Sequence, residues 1–491
     1  MMSGVNQTAG EANARQASAS GPVTIQLKRA GMIAAVVIAA IIAWTRPFAG
    51  LSAQGNGVVA LTVVCLALWI LQTGKLPYLA GGAILLAGGL LYKLPLDVVT
   101  KGYTASAVWV LIPALFFGFA LMKTGLGKRV AFFVFKTFEP GYFTICVSWF
   151  IIGLALSALT PSITVRIAIV MPIAISLVEA CKLSDRSKGS ALICFMAWGT
   201  ALLPGIGWQT GSLWGIFMMG FYPQEMRPLA TAEAWFQYMI FPWFFITILF
   251  LTLLYLFFKP KEPLQLSREA FKNQYKALGR ITRDEITCAA VLVMALLLFS
   301  TERWTGIKTP EAAMMAFAAL MLFGIVKLPD ISNGVNWDII NFFAVVMSLT
   351  AMFERAGISD WVKPIIEPGI LSLAGSPLTF LLVSTVVLWA IRFIDIPWGF
   401  TTIALLAPVF IPLYQKFGLH PVFVSMSVIA AGNSFFLAYH QPFVVIGDTM
   451  VQSRGWSGRH VSIAGTLYAV AVIVGILVSS FYWRAMGLLP G

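Results

Sequence analysis

Charge-free apolar runs of about twenty residues or more recur along this chain, and they limit what it can fold into. They lie at residues 47–74, 102–122, 140–165, 189–224, 238–258, 368–391, 396–415, 417–447 and 461–483. A helix needs about 20 mostly apolar residues to cross a bilayer, and some runs are long enough for two crossings. With 59% hydrophobic and 11% charged residues, the composition lies outside the range of soluble domains. The sequence predicts an all-α polytopic membrane protein with about 10–12 transmembrane helices and shorter re-entrant pieces.

One pattern occurs twice: an apolar run closed by a charged Gly turn, then a break rich in Ser, Thr, Pro and Gly. The first copy is residues 108–128 with 159–164, and the second is residues 337–360 with 395–402. The spacing is 37 residues from Gly125 to Ser162 and 41 residues from Gly357 to Trp398. Paired, interrupted hydrophobic segments in two halves indicate a transporter's binding site. The pattern predicts re-entrant hairpins at about 106–127 and 337–357, and broken helices at about 144–178 and 377–413.

The charged residues lie mainly in short loops, and one cluster divides the chain into two halves. Residues 259–285 hold seven Lys/Arg against four Asp/Glu, which the positive-inside rule places in the cytoplasm. We predict a cytoplasmic linker at 259–285, a first transmembrane repeat at 30–258 and a second at 286–491. Residues 1–29 are predicted to be a disordered cytoplasmic tail, because Lys28 and Arg29 precede the first apolar run. The net charge of +13 is spread over loops, so nucleic acid is not an expected partner.

Cysteine and histidine are dispersed in a way that argues against a metal site or an enzyme. The five cysteines form no CxxC pair, and the three histidines are far apart. We expect no metal and no cofactor, apart from Na⁺ or H⁺ as a coupling ion. A polytopic membrane enzyme would need a carboxylate, His or Cys cluster near one interface, and it remains the distant alternative.

The first break, residues 159–164, contains residue types that suit an anion site. Unwound backbone at membrane depth persists only where it faces protein or a water-filled cavity. The hydroxyls of Ser162 and Thr164 can cap the following helix, whose N-terminus attracts anions. The alternative is a proline kink with hydroxyls bonded back to the preceding turn. Arg166 follows after 26 uncharged residues. It is either a contact for the substrate or the gate, or one partner of a structural ion pair, for example with Asp395.

The second break follows a pair of opposite charges. Arg392 and Asp395 stand three residues apart between uncharged runs of 24 and 20 residues, so a local ion pair is the simplest interpretation. Pro397 and Gly399 interrupt the helix immediately afterwards. Asp395 is therefore also a candidate for cation or proton binding.

Each break is followed, after a further helix, by a window rich in Gly and polar residues. The first window, residues 199–212, contains Gln209 and Thr210, and the second contains Asn433 and Gln441. Glycine lets backbone approach a ligand, and these side chains offer amide and hydroxyl contacts. Glycine is also common in membrane helices because it allows close packing.

The order of these segments resembles the divalent-anion/sodium symporter family, which includes sodium:sulfate symporters and di- and tricarboxylate carriers. The resemblance rests on Lys-Thr-Gly-Leu-Gly-Lys-Arg at 123–129, on Thr-Pro-Ser-Ile-Thr-Val-Arg at 160–166, and on the Gly/Thr/Pro window that follows. It covers most of the chain after residue 30. It implies two inverted repeats, a scaffold that forms a homodimer, and a transport domain that moves like an elevator.

In that family each half carries a Ser-Asn-Thr motif that binds substrate carboxylates and sodium. Here the first copy is Ser162-Ile163-Thr164, and spacing back from Pro408 places Trp398-Gly399-Phe400 at the second, with Thr401 and Thr402 adjacent. Both asparagines are absent, so a sodium cage would be incomplete. The resemblance implies substrate contacts at Gly399, Thr401 and Thr402, and ion coupling through Ser162 and Thr401. Asp395 is the further coupling candidate, because of its position before the second break.

Together these features predict a secondary active transporter of small organic anions, di- or tricarboxylates, in the bacterial inner membrane with a cytoplasmic N-terminus. The alternative within carriers is an inorganic-anion, sulfate-like permease or a Na⁺/H⁺-type permease, in which Asp395 would matter most. Because the sodium ligands are depleted, we expect transport to be driven better by a counter-anion or by protons than by sodium.

Overall fold

The structure is a computed structural model, and it describes most of the chain. The described residues are 22–71, 76–222, 226, 229, 231–261, 264, 268–362, 364, 376–392, 420, 422–437 and 440–489. All regular secondary structure among them is helical. The predicted site residues Asp395, Gly399, Thr401 and Thr402 lie outside the described residues.

The chain folds into a series of mostly apolar helices joined by short loops. The first half contains α1 Pro22–Thr45, α2 Ala53–Leu71, α3 Tyr78–Leu91, α4 Leu96–Val99, α5 Ser106–Thr124, α6 Leu126–Phe135, α7 Tyr142–Leu159, α8 Ile163–Ala180, α9 Lys188–Leu202, α10 Leu213–Phe221 and α11 Ala232–Phe258. The rest contains α12 Arg268–Ala277, α13 Arg283–Ser300, α14 Glu302–Thr305, α15 Thr309–Leu322, α16 Leu328–Asn333, α17 Trp337–Arg355, α18 Pro377–Ile391, α19 Val422–Gly432, α20 Pro442–Met450 and α21 Gly458–Ala485.

The helices have the length and composition of membrane spans. Among the described residues, eight helices are long and apolar enough to cross a bilayer, and shorter apolar helices accompany them. The predicted all-α polytopic membrane class is confirmed. One predicted boundary shifts, because α1 is described from Pro22 and residues 22–29 of the predicted disordered tail are therefore helical. The predicted linker contains α12, whose Phe271 is buried and stacks on Phe135 with ring centroids 5.0 Å apart.

The long helix α11 defines two sides of the protein. We call the side at its C-terminal end, where the linker starts, the linker side, and the other the far side. The rings of Phe143 and Tyr255 lie 6.1 Å apart, so α7 starts on the linker side. After α8, a Cβ added at Gly189 would lie 3.0 Å from Pro260, so α8 ends on the linker side as well. The α7–α8 pair therefore enters and leaves on one side.

This arrangement corrects the predicted hairpin and broken helix of the first half. Residues 144–178 form the re-entrant hairpin, because Thr160 (φ −154°, ψ 133°) and Ser162 (φ −74°, ψ 101°) are extended and let the chain reverse. The predicted hairpin at 106–127 is instead the 19-residue helix α5, which ends at left-handed Gly125 with φ 82°. Residues 337–357 repeat that form, since the 19-residue helix α17 is followed by Gly357 with φ 72°.

Two discontinuous helices start from opposite sides. Helix α9 starts on the linker side, and residues 203–212 after it contain the short 3-10 helices Pro204–Gly207 and Gln209–Gly211 before α10 begins. Helix α19 starts on the far side, where His420 lies 4.7 Å from Tyr238 by ring centroids. The loop after α20 returns to the linker side, because Gly455 in this loop lies against Cys194 of α9.

Charged contacts join loops on the linker side. Arg454 donates to Glu179 at 2.6 Å and to both carboxylate oxygens of Asp185 at 3.1 Å, so it ties the end of α8 to the loop between α20 and α21. Lys123 at the end of α5 pairs with Asp330 of α16. Burial raises the pKa of the Asp330 carboxyl, but hydrogen bonds from Lys123 and the Lys327 backbone together hold it below its usual value.

Candidate functional site

The break between α7 and α8 is a buried turn held by its own hydroxyls. Ser162 is the N-cap of α8, and its hydroxyl accepts from the Val165 N–H at 3.5 Å. The Thr160 hydroxyl accepts from the Ser162 N–H at 3.2 Å. Helix α5 comes close at Gly118, where an added Cβ would lie 2.9 Å from the Thr160 hydroxyl oxygen. The predicted capping role of Ser162 is thus present, whereas Thr164 lies half-buried on the first turn of α8.

Arg166 is the most unusual side chain of this region. It is 0% exposed, and its Nη1 donates to the hydroxyl of Ser157 on α7. Its Nε and Nη2 have no hydrogen-bond partner among the described residues, and no described carboxylate forms an ion pair with it. A buried guanidinium is costly unless its charge and donors are satisfied. Arg166 therefore carries two buried donors that no described residue accepts.

The unwound segment after α9 lies directly against this guanidinium. A Cβ added at Gly205 would lie 2.6 Å from Nη1 of Arg166 and 2.1 Å from the carbonyl oxygen of Gly211. Only glycine fits at such a distance, so the sequence permits the backbone to approach the charge. The first polar window and the first break, predicted separately, are thereby brought together.

The second polar window meets the first through a tryptophan. The Trp214 Nε1–H of α10 donates to the Asn433 side-chain oxygen at 3.1 Å, and its ring packs on Gly432. The side-chain amide of Gln441 donates to the Gly432 carbonyl at 3.2 Å. Asn433 and Gln441 are both buried, and they hold the break between α19 and α20. These contacts join the two discontinuous helices at their breaks.

The remaining predicted residues take different positions. Gln209 is buried, and its carbonyl faces the backbone at Gly215, where an added Cβ would lie 2.2 Å away. Thr210 lines a cleft beside Pro161. Arg392 is buried at the end of α18 and donates to the carbonyl of His440. The predicted partner of Arg392, Asp395, is outside the described residues.

Sequence reasoning missed several residues that build the site. Ser157 and Gly205 contact Arg166, Gly118 contacts the break, and Trp214 links the two windows. A serine or glycine inside an apolar run is common, so its position alone gives little signal. Within the part of the chain that the structure describes, no group of three His, Cys, Asp or Glu residues could hold a metal.

The fold and site define a class of protein. A re-entrant hairpin, two discontinuous helices joined at their breaks, and a buried cation beside unwound backbone are features of membrane transporters. The family described as "Sodium:sulfate symporter transmembrane region" matches residues 26–489, and the chain belongs to this family. The predicted family resemblance is confirmed, and the protein is a transporter rather than an enzyme.

Relatives are similar at low identity. A "Membrane protein" of Cupriavidus necator is 22% identical over 93% of both chains. Dicarboxylate transporter 2, chloroplastic, of Spinacia oleracea is 24% identical over 55% of this chain and 49% of that protein. The L-tartrate/succinate antiporter of Shigella dysenteriae is 25% identical over 60% of this chain and 61% of that protein. The match thus spans about half to three fifths of these two carriers.

A solved structure supports the fold. The YdaH transporter of Alcanivorax borkumensis, described as having an unusual topology, superimposes with a TM-score of 0.55. The match covers 89% of this chain and 100% of that chain at 14% sequence identity. At this identity the likeness concerns the fold alone.

Proposed function

We propose that the protein is a secondary active transporter of small organic anions and that Arg166 binds the substrate carboxylate. The observation that carries this proposal is the fully buried guanidinium with two donors that no described residue accepts. A guanidinium offers a planar pair of N–H groups that matches a carboxylate. A carboxylate beside Arg166 would satisfy both the charge and the donors.

The surroundings of Arg166 favour an exchangeable anion over a fixed ion pair. The Ser157 hydroxyl is neutral, so it accepts one hydrogen bond without cancelling the charge. The backbone at Gly205 lies against the same Nη1 atom, so no side chain fits at that position. An incoming anion would therefore meet a preorganised cation that has lost its water, where electrostatic attraction is strong.

The relatives support an organic substrate. Two of them are named as a dicarboxylate transporter and as an L-tartrate/succinate antiporter. The di- or tricarboxylate predicted from the sequence is consistent with these names. The N-terminal cap of α8 at Ser162 adds backbone donors and helix-dipole charge on the same side of the hairpin.

The transport cycle follows from how the halves are arranged. The opposite starting sides of α9 and α19 support the predicted inverted repeats, 30–258 and 286–491, related about an axis in the membrane plane. We extend this to a homodimer with elevator-type motion in the bacterial inner membrane. The linker of residues 259–285 would be cytoplasmic because of its basic excess, with the N-terminus on the same side.

Coupling to sodium is expected to be weak. The Ser162 hydroxyl already caps α8, and Ile163 stands where an amide ligand would be needed. Asp395 and Thr401 remain the other coupling candidates. Uptake into proteoliposomes should respond more to an internal counter-anion or to external acid than to an inward sodium gradient. Uptake that requires sodium and ignores both other gradients would contradict this expectation.

Binding isotherms on the purified full-length chain test the anion site. Succinate, butanoate and sulfate should bind the wild type, and Arg166→Met should weaken binding of each by at least about tenfold, because a charged hydrogen bond contributes about 1.5–3 kcal/mol. Arg166→Lys should not restore full affinity, since an ammonium lacks the planar fork. Unchanged affinity in a folded Arg166→Met variant would assign Arg166 to structure instead.

A further inference from the structure

The unwound segment after α9 contains a buried indole donor. Trp208 lies in extended backbone (φ −128°, ψ 148°) between the two short 3-10 helices, and its ring is half-buried. Its Nε1–H is buried and has no acceptor among the described residues. An indole nitrogen can only donate, so it needs an acceptor. Trp149 and Trp243 also carry such an N–H, but they lie inside α7 and α11, whereas Trp208 lies on unwound backbone.

Trp208 and Arg166 meet at one pair of glycines. A Cβ added at Gly205 would lie 2.1 Å from the Gly211 carbonyl oxygen and 2.6 Å from Nη1 of Arg166. A Cβ added at Gly211 would lie 2.4 Å from the Gly205 carbonyl oxygen and 2.1 Å from Nε1 of Trp208. The two glycines therefore pack against each other, with the guanidinium beside one and the indole nitrogen beside the other. With ordinary bond lengths, these distances place Nη1 and Nε1 at most about 10 Å apart.

The free edge of Arg166 suits one carboxylate. Its Nε and Nη2, which no described residue accepts, form one edge of the planar guanidinium and match the two oxygens of a single carboxylate. A second carboxylate on the same ligand needs a donor of its own, because burying it without a partner is strongly unfavourable. The Trp208 Nε1–H is such a donor. A hydrogen bond of about 2.9 Å at each end lets a four-carbon dicarboxylate bridge the two side chains.

Resting on the proposed function, we infer that Trp208 determines specificity for dicarboxylates. Arg166 binds one carboxylate of the substrate, and the Trp208 indole N–H donates to the other. A monocarboxylate with the same number of carbons uses Arg166 alone, so it gains nothing from Trp208. Trp208 thereby sets the preference between the two classes of anion.

Calorimetric titration of succinate and butanoate into the purified full-length chain tests this inference. Both have four carbons, and butanoate lacks the second carboxylate. Wild type should bind succinate at least about tenfold more tightly than butanoate. Trp208→Phe keeps an aromatic ring without the N–H, so it should weaken succinate binding about tenfold and leave butanoate affinity within about twofold. Trp149→Phe is the matched control: it removes a buried indole N–H from a ring that packs on Phe135 with centroids 4.9 Å apart, and it should change neither affinity.

Each outcome decides between the inference and its alternatives. Equal affinity of wild type for succinate and butanoate would overturn the inference, even if Trp208→Phe does not fold. Wild-type succinate affinity in folded Trp208→Phe, or an equal loss for both anions, would assign Trp208 to structure. If Arg166→Met still lost both anions, the proposed function would stand without the inference. If Arg166→Met bound both anions like wild type, the proposed function would fall, and the inference with it.

Discussion

The close approach of Gly205 to Arg166 makes a single methyl group a sharp probe of the site. In Gly205→Ala the new Cβ would lie 2.6 Å from Nη1 of Arg166 and 2.1 Å from the Gly211 carbonyl oxygen. A carbon atom does not approach a non-bonded oxygen or nitrogen atom so closely. The backbone at residue 205 must therefore move away from the guanidinium of Arg166 and from the Gly211 carbonyl. We expect Gly205→Ala to fold but to bind organic anions poorly.

The size of the effect follows from the displacement. The Gly211 carbonyl must retreat by roughly 1 Å, and overpacking of this kind costs about 1–3 kcal/mol. A guanidinium displaced by that distance also loses the geometry of a charged hydrogen bond, which contributes about 1.5–3 kcal/mol. Anion affinity should therefore fall by about 10- to 100-fold.

The assay is calorimetric titration of succinate into wild type, Gly205→Ala and Gly458→Ala. Gly458 is the matched control, because an added Cβ there meets nothing within 4 Å. Gly458→Ala should bind like wild type. Wild-type affinity in Gly205→Ala would refute the claim that this glycine positions Arg166 for an anion.

Three further substitutions test other contacts of the fold. Arg454→Gln should lower the melting temperature more than Arg303→Gln. Arg454 joins two loops, whereas Arg303 forms one long, exposed ion pair at 3.6 Å, and equal decreases in melting temperature would contradict this. Trp214→Phe keeps the ring but removes the donor to Asn433, so uptake should fall with a destabilisation of about 1–3 kcal/mol, measured by thermal unfolding, and wild-type uptake would exclude this role. Asp330→Asn should destabilise the protein at neutral pH. Pairing lowers the folded-state pKa of Asp330, so the stabilisation from its carboxylate is present above the usual aspartate pKa of about 3.9 and is lost as the pH falls further. The melting temperatures of wild type and Asp330→Asn should therefore converge in acid.

The class of protein and the position of the first break could be predicted from the sequence, because both depend on residues that are close together along the chain. Charge-free runs are sufficient evidence of membrane helices, and the proline and hydroxyl residues around Ser162 interrupt a helix wherever it lies. The unusual burial of the Arg166 charge was also predictable, because 26 uncharged residues precede it and its charge has no neighbour along the chain.

The parts that sequence reasoning missed depend on contacts between distant residues. Whether α7 and α8 form a hairpin or a broken span depends on which side each end lies, and Phe143 meets Tyr255 more than a hundred residues later. Trp214 resembles any aromatic residue in an apolar run until its contact with Asn433, 219 positions away, is known. Periodicity and spacing carry no information about such pairs.

Transport itself tests the central claim most directly. Radiolabelled succinate should enter proteoliposomes that contain the wild type, with saturation and with stimulation by unlabelled succinate inside. Vesicles with equal amounts of folded Arg166→Met should show at most about a tenth of that rate, as expected from the loss of one charged hydrogen-bonded contact. Uptake by Arg166→Met at the wild-type rate would contradict the account.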